Sequence, residues 1–181
     1  MSFFKKVRAY FHRRAAKKLN ALAEGVHLLT LRSESHRGHF VYPGFDTFAD
    51  IEVQGQHLGY VDYGISPLND RLYINNLQIH PEHQRQGLGL ATLWVLYRTY
   101  QKPIVPLHQY TSSYLFWTAA RKRLAAAGAP VKPELHSFTA MYAEQTRWQH
   151  LLPETDTERW HRHHRSAAHQ PVTPPQEPRN R

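Results

Sequence analysis

Residues 74–91 constrain the fold more than any other stretch of this chain, because they predict a strand, a glycine turn and a helix in direct succession. The strand has apolar residues at Ile74, Leu77 and Ile79, and the turn has Gly87 and Gly89 ahead of an apolar helix. Glycine lacks a Cβ, so the backbone can approach a ligand and adopt turn dihedrals there. The first turn of the following helix presents unpaired N–H groups that favour negative charge. The stretch therefore predicts an anion site whose natural occupant is a pyrophosphate.

Two familiar phosphate-binding loops do not fit these residues. A Walker loop requires Gly-x-x-x-x-Gly-Lys-Ser/Thr, and no Lys follows either glycine. A dinucleotide-binding loop requires Gly-x-Gly-x-x-Gly and an acidic residue about 20 positions later for the ribose. Thr92 stands where its third glycine would be, and residues 83–133 contain no Asp or Glu. Both classes are excluded.

The pattern resembles the acyl-CoA-binding signature of the GNAT superfamily of N-acetyltransferases. In that signature a strand reading roughly Ile-x-x-Leu-x-Val-x-Pro precedes a turn reading Gln/Arg-x-x-Gly-x-Gly/Ala. The matching residues in this chain are Ile74, Leu77, Ile79, Pro81, Gln84, Gly87 and Gly89. The turn fixes only three positions, and its flanking strand and helix make the resemblance specific. By the order of predicted elements, the resemblance extends over residues 26–144.

The resemblance implies an acetyl-CoA site built largely from main-chain groups. The amide of Leu77 or Gln78 would stabilise the oxyanion of the reaction. The main chain around Ile79 would pair with the pantetheine arm, where two neighbouring parallel strands (72–79 and 104–108) splay apart. The pyrophosphate would lie against the turn, whose predicted contact residues are Gln84, Arg85, Gln86, Gly87, Leu88, Gly89 and Leu90.

Periodicity and chain breakers predict a mixed α/β fold of the α+β type, and the resemblance gives it a GNAT-like central mixed sheet with splayed strands and flanking helices. Strands are expected at 26–31, 48–53, 58–65, 71–79, 104–108 and 138–142, and helices at 2–23, 87–100 and 113–127. Residues 33–46 are predicted to form a loop or irregular helix over the acceptor site. Three regions follow: a basic N-terminal helix (1–24), an acetyl-CoA-binding domain (25–150) and a His/Pro/Arg-rich tail (151–181). We expect the tail to be disordered, because residues 161–181 have almost no large apolar side chain.

The net charge of +9 comes from the two ends of the chain. Residues 1–23 contain seven Lys or Arg and no acid, and residues 161–181 contain four Arg and one Glu. Residues 83–133 also contain seven Lys or Arg, a composition that suits a polyanion such as coenzyme A. The chain has no cysteine, which excludes disulfides, thiolate zinc sites and cysteine nucleophiles. It has no apolar run of membrane-spanning length, and a cytoplasmic location is expected.

The general base is not where the resemblance would put it. An amine acceptor arrives protonated, so a base must remove its proton before the nitrogen attacks a thioester. Members of the superfamily often have a Glu two positions before the Leu of the central strand, and this chain has Asn75 there, which cannot act as a base. The candidate substitutes are Glu52, Asp62 and Tyr73 on neighbouring strands, and His80. Strand alternation shows that some of them face the cleft but not which, and a solvated position on the sheet is equally open for Glu52 and Asp62.

The acid that would protonate the departing thiolate is also missing from the position that the resemblance implies. Relatives often have a Tyr in a Phe-Tyr or Leu-Tyr pair early in the last long helix, where this chain reads Phe116-Trp117. The nearest phenol is Tyr114, with Tyr110 further back in the loop. Tyr114 is therefore the candidate acid, and its alternative role is in packing.

The sequence thus predicts an acetyl-CoA-dependent N-acetyltransferase that transfers acetyl to a primary amine by direct attack in a ternary complex. The acceptor can be a small molecule, a protein amine or an aminoacyl-tRNA. The alternative is a catalytically inert acyl-CoA-binding module, which the missing Glu and Tyr make credible.

Two charged segments have competing interpretations. The N-terminal helix can pack on the core with its cations solvated, bind nucleic acid through phosphates, or dock on an anionic membrane surface. We favour packing combined with a phosphate-binding surface. The His-rich cluster at 161–164 lies beside Arg in a tail that offers no outer shell of hydrogen bonds, so no metal site is assigned.

Overall fold

The structure, a computed structural model, describes residues 3–109 and 111–167. Its first unit, Met1–Leu151, contains four α-helices and five strands among the residues described. In chain order these are α1 (Phe3–Leu22), β1 (Val26–Glu34), β2 (Asp46–Val53), β3 (Gln56–Ile65), β4 (Leu72–Ile79), α2 (Leu88–Tyr100), β5 (Ile104–Pro106), α3 (Tyr114–Ala126) and α4 (Phe138–Thr146). The second unit, Leu152–Arg181, contains α5 (Asp156–Ala167).

The five strands form one mixed sheet in the order β1-β2-β3-β4-β5. The first three pairings are antiparallel, and β4 pairs with β5 in parallel. A tight turn at Gln54 and Gly55, both with positive φ, joins β2 to β3 as a hairpin. The expected α+β class and mixed sheet are confirmed, and the first five predicted strands and all three predicted helices are present within a few residues of their expected bounds.

One face of the sheet is covered by α1, α2 and α3. Alternate strand residues such as Ala49, Val61 and Ile74 are buried there against helix residues such as Leu93 and Leu124. Apolar residues at every second strand position meet an apolar helix face, so burial of this surface provides the main stabilisation of the unit.

The opposite face has a smaller core that includes Tyr73 and Trp148 together with Val41 from the 35–45 loop. The indole N–H of Trp148 donates to the Tyr42 carbonyl (3.0 Å), and the Gln145 side chain donates to the Phe40 carbonyl (3.0 Å). The segment around α4 therefore holds this loop against the sheet.

The predicted sixth strand at 138–142 is wrong, because these residues begin α4. Ser137 caps that helix by accepting a hydrogen bond from the Ala140 N–H (3.1 Å). The edge of β5 that a sixth strand would need is taken by short bridges from Val131 and Leu135. The helix instead places a buried carboxylate, Glu144, on the second core.

Glu144 is the centre of a charged network between α4 and the start of β4. Arg71 and Arg147 each donate to its carboxylate at 2.6 Å, and the hydroxyl of Tyr73 donates to it as well. Arg147 also bonds Asp70. These bonds compensate the buried carboxylate, and removal of one partner would be strongly destabilising because it leaves a buried charge unpaired.

The prediction of a disordered tail is wrong for Asp156–Ala167, which forms α5. Thr155 and Glu158 begin this helix with reciprocal bonds: the Thr155 N–H donates to the Glu158 carboxylate (2.8 Å), and the Glu158 N–H donates to the Thr155 hydroxyl (3.2 Å). This capping box is visible in the sequence as Thr-x-x-Glu and outweighs the polar composition locally. The rest of the predicted tail, 168–181, lies outside the described residues, as does Tyr110.

Candidate functional site

The edge of β4 that faces β5 is open over its second half. The pairing with β5 runs only from Leu72 to Ile74, and it ends with a bond from the Leu107 N–H to the Ile74 carbonyl (2.8 Å). β4 itself continues to Ile79. Within the described part of the chain, no strand pairs with residues 75–79 on this side. We call these five residues the open edge of β4.

A bulge at Asn75 lies at the start of the open edge. Asp62 on β3 pairs with Asn76, and the next β3 residue, Tyr63, pairs with Ile74, so Asn75 is the extra residue. A bulge of this kind shifts the alternation of the strand by one position and places two successive side chains on the same face. Asn75 and Asn76 accordingly both point away from the helices.

The shift in alternation determines which main-chain groups face outward. The N–H of His80 donates to the Leu58 carbonyl on β3 (2.8 Å). Because main-chain groups alternate in direction along a strand, Gln78 also faces β3, whereas the N–H groups of Leu77 and Ile79 face the open edge. Of the two amides that the sequence leaves open as oxyanion donors, the geometry therefore favours that of Leu77.

Side-chain bonds fix the turn between β4 and α2. The side-chain amide of Gln84 donates to the Ile79 carbonyl (2.9 Å), and that of Gln86 donates to the Glu82 carbonyl (3.2 Å). Arg85 has a φ of 62°. The Gln84 bond thus ties the turn to the end of the open edge, and the Gln86 bond closes the turn on itself.

The start of α2 presents main-chain donors. Gly87 is the N-cap residue with a φ of 89°, and the first bond of the helix runs from the Ala91 N–H to the Gly87 carbonyl (2.9 Å). The N–H groups of Leu88, Gly89 and Leu90 therefore have no partner inside the helix. Partial positive charge at a helix start favours an anion at this position.

Both glycines of the turn also have a packing role. A Cβ on Gly87 would lie 3.0 Å from Leu22 of α1, and a Cβ on Gly89 would lie 2.8 Å from the ring of Phe116 on α3. The turn is consequently held between two helices, and glycine is needed there with or without a ligand.

The cations of residues 83–133 are spread over the turn, the helices α2 and α3, and the segments that follow these helices. Arg85 lies in the turn itself, whereas Arg98 lies near the far end of α2, about 15 Å away at 1.5 Å per residue. The sequence count of seven cations therefore overstates the positive charge beside the turn.

On the face of the sheet opposite α1, α2 and α3, a cavity of about 270 Å³ begins at the bulge. Asn75 and the first residues after β5, Leu107 and His108, line it, so it adjoins the point where β4 and β5 part. The 35–45 loop covers it with residues that include His39. Of the residues predicted to form this loop (33–46), the first two belong to β1 and the last to β2, and its role over an acceptor site stays a prediction.

The cavity is lined by three carboxylates, from Glu34, Asp46 and Asp62. Glu34 pairs with Arg32 (3.3 Å), which leaves Asp46 and Asp62 as the main source of negative charge deeper in the cavity. Such a lining favours a cationic ligand over an anion or a neutral apolar group.

Asn75 connects these two aspartates. Its side-chain amide donates to Asp46 Oδ1 (2.9 Å) and to Asp62 Oδ1 (3.0 Å), and its own buried oxygen has no partner among the described residues. A Glu in this place could not donate to either carboxylate. The residue that appeared to remove the general base therefore positions two other carboxylates.

Asp46 is the more buried of the two, and burial raises its pKa above the usual range. The charges of Asp62 and Glu34 raise this pKa further, while the Asn75 hydrogen bond and His39 lower it. His39 Nδ1 lies 3.1 Å from Asp46 Oδ2, although not in hydrogen-bond geometry. A carboxylate with a raised pKa is better matched to accept a proton near neutral pH than an ordinary aspartate.

Among the described residues, the candidate catalytic residues other than Asn75 and Asp62 lie outside the cavity. Glu52 lies six residues along β2 from Asp46, about 20 Å away at 3.3 Å per residue, and does not line the cavity. Tyr114 is 61% exposed at the start of α3, the helix end that contacts Gly89 through Phe116. Tyr73 is buried in the Glu144 network. His80 stacks edge-on against His57 outside the cavity.

Asp46 and His39 were not among the sequence candidates. Asp46 was within reach of sequence reasoning, since it shares a strand face with Phe48 and lies opposite the buried face that holds Ala49 and Ile51. His39 has no such signal, because its position depends on the path of the covering loop.

These features define an α+β protein with a five-stranded mixed sheet and an open strand edge next to a glycine turn. An acidic cavity adjoins the bulge at Asn75, on the face of the sheet opposite α1, α2 and α3. Comparison with protein-family models and with curated proteins gives no match for the chain. Of the helices that the structure describes, none has both the length and the apolar character needed to cross a membrane.

Proposed function

We propose that this protein is an acetyl-CoA-dependent N-acetyltransferase of the GNAT type, acting on a primary amine. The proposal rests on the open edge of β4, whose outward N–H groups at Leu77 and Ile79 are followed by the free N–H groups at the start of α2. Main-chain donors along this path suit, in order, the acyl oxygen, the pantetheine arm and the pyrophosphate of acetyl-CoA.

The residues of the chain then have distinct roles. Acetyl-CoA supplies an acetyl group activated as a thioester. The N–H of Leu77 donates to the acyl oxygen as negative charge develops there. Asp46 accepts the proton of the amine, the nitrogen bonds to the acyl carbon, and the carbon–sulfur bond breaks to release the thiolate. Tyr114, at the helix end beside the turn, remains the predicted donor of a proton to that thiolate.

The cavity supports a cationic amine as the acceptor. Its two inner carboxylates favour an ammonium group, and its volume of about 270 Å³ suits an aminoalkyl group or a small amine rather than a large rigid ligand. A small molecule, a protein side chain and an aminoacyl end each present such a group, so the acceptor class stays open.

Calorimetry with coenzyme A tests the binding part of the proposal. Gly87→Glu adds a carboxylate where the pyrophosphate is proposed to bind and a Cβ 3.0 Å from Leu22, and we expect charge repulsion and the shifted turn together to weaken coenzyme A binding at least about 10-fold. Gly55→Glu controls for the added charge and for a Glu at a positive φ (76°), since Gly55 lies in a hairpin turn with nothing near its Cβ position. Unchanged binding by Gly87→Glu would overturn the proposed site.

Thiol release tests the catalytic part. The chain contains no cysteine, so a thiol-reactive chromophore reports only the coenzyme A that the reaction releases. We expect steady release with acetyl-CoA and at least one member of a panel of amines. Coenzyme A binding without thiol release across the panel would instead support the inert binding module.

A further inference from the structure

The two halves of α1 have different surroundings. In the second half, Leu19 is 3% exposed, Ala16 and Ala23 pack on the same core, and Asn20 accepts a hydrogen bond from the Trp94 indole N–H (2.8 Å). In the first half, every residue from 5 to 11 is exposed. The helix is therefore anchored on the domain by its second half, and its first half extends past the core.

The exposed half has apolar side chains that nothing in the described chain covers. Val7 is 37% exposed, Tyr10 is 56% exposed and Phe11 is 59% exposed. Val7 and Phe11 are four residues apart and share one side of the helix, with Tyr10 beside them. Aromatic side chains bring the largest gain when they leave water, so this exposure favours a partner surface.

Cations surround this apolar strip without compensating acids. α1 contains Lys5, Lys6, Arg8, Arg13, Arg14, Lys17 and Lys18 and no Asp or Glu. No ion pair found among the described residues involves any of the seven. The complementary partner therefore combines negative charge with an apolar layer.

We propose that α1 docks the protein on an anionic phospholipid surface, with Val7, Tyr10 and Phe11 entering the interfacial layer and the flanking Lys and Arg contacting the head groups. A helix with an apolar strip and a cationic remainder lies in the plane of such an interface. Nucleic acid is the weaker match, because phosphate contacts need the cations but give no role to an aliphatic side chain such as Val7. The inference does not depend on the proposed enzymatic function.

Vesicle flotation with the full chain tests this inference. We expect binding to vesicles of phosphatidylcholine with about one-third phosphatidylglycerol, and none to phosphatidylcholine alone, since each cation near an anionic surface contributes about fivefold in affinity. Lys6→Glu combined with Arg14→Glu and Lys17→Glu, at exposed cations beside the apolar strip, should lower the affinity about 100-fold or more, because three attractive charges become repulsive.

A second variant separates the apolar contribution from simple charge attraction. Val7→Ser combined with Phe11→Ser should weaken vesicle binding about 10-fold or more while all cations remain, because apolar area no longer leaves water. Two controls at exposed sites on other helices should bind as the wild type does: Phe138→Ser, at a side chain that is 91% exposed on α4, and Lys122→Glu on α3. The substituted residues of α1 are exposed, so thermal unfolding should be unchanged.

Three outcomes overturn the inference. The first is no binding to anionic vesicles. The second is equal binding by the Val7→Ser, Phe11→Ser variant, which would reduce the interaction to non-specific charge attraction. The third is tight binding to duplex RNA or DNA that this variant retains and that anionic vesicles do not displace, which would assign α1 to a nucleic acid.

Discussion

At the scale of residues, Asn75 connects the two aspartates of the cavity. Asn75 is the bulged residue at the start of the open edge. Its side-chain amide donates to both Asp46 and Asp62, so it holds two like charges near each other. Like charges in a partly buried place repel, and a shared donor offsets part of that cost. Under the proposed function, the proton acceptor would lie on β2 rather than at the Asn75 position of β4.

Asn75→Asp tests this role, because the substitution keeps the shape and removes both donors. We expect a loss of free energy of unfolding of about 1–3 kcal/mol at neutral pH, the cost of leaving buried acceptors unpaired, with a smaller loss near pH 4 where carboxyls are partly protonated. Asn76→Asp is the control, since the neighbouring amide is exposed and makes one long bond to Tyr60 (3.3 Å). Urea unfolding at both pH values measures the difference, and equal losses in the two variants would contradict it.

Asp46→Asn separates activity from stability. Loss of the proposed proton acceptor should lower acetyl transfer about 100-fold or more. Burial raises the pKa of Asp46 in the folded protein, so ionisation costs stability that begins to appear as pH rises past 3.8 and is complete above the folded-state pKa. The stability of the variant relative to the wild type should therefore increase from pH 3 to pH 7. A relative stability that falls with pH in urea unfolding would show that the charged form is favoured instead.

At this scale the sequence indicated only some of the residues of the candidate site. Motif spacing, a local property, pointed to Gly87, Gly89 and Asn75, whereas Asp62 was one of several candidate bases that strand alternation could not rank. His39 was out of reach, since its distance from Asp46 is set by a loop whose path depends on packing against Trp148.

At the scale of elements, the 35–45 loop covers the cavity, and the segment around α4 holds the loop in place. The loop has little regular structure, and the side chains of Gln145 and Trp148 hold its carbonyls. The sequence suggested a strand at 138–142 because the residues are apolar and aromatic, but period alone cannot separate a short strand from a short helix. The Ser137 cap stabilises the helix, and a strand in this place would find the edge of β5 already occupied by the bridges from Val131 and Leu135.

Gln145→Ala should loosen this cover without unfolding the protein. Loss of one hydrogen bond to the Phe40 carbonyl costs about 1 kcal/mol. We expect faster amide exchange in the 35–45 loop and a higher KM for the amine. The KM for acetyl-CoA should be unchanged, because Leu77, Ile79 and the glycine turn do not line the cavity that the loop covers. Gln149→Ala, at an exposed Gln just beyond α4, is the matched control. An increase in both KM values would place the effect on the fold rather than on the cavity.

At the scale of the first unit, the proposed acetyl-CoA site joins elements that are far apart in the sequence. α1 contacts the turn through Leu22, α3 contacts it through Phe116, and β4 ends in it. The five strands and the first three helices have clear hydrophobic periodicity, which made them predictable. The helices α4 and α5 were missed, because each depends on a capping hydrogen bond at its first turn rather than on a long periodic pattern. A ligand at this junction stabilises several elements together.

Coenzyme A should therefore raise the melting temperature of the whole first unit. At a ligand concentration 100 times Kd, binding to the folded state alone adds about 2.7 kcal/mol. For a chain of this size, that corresponds to a rise of about 5–10 °C in Tm. Circular dichroism at increasing coenzyme A measures it, and the Gly87→Glu variant should show no rise at the same concentrations. Because the row of donors on β4 is proposed to hold the pantetheine arm, ADP, which has the pyrophosphate without that arm, should stabilise the protein far less. An equal rise with ADP would mean that the start of α2 binds any pyrophosphate and that the open edge of β4 has no part in the binding.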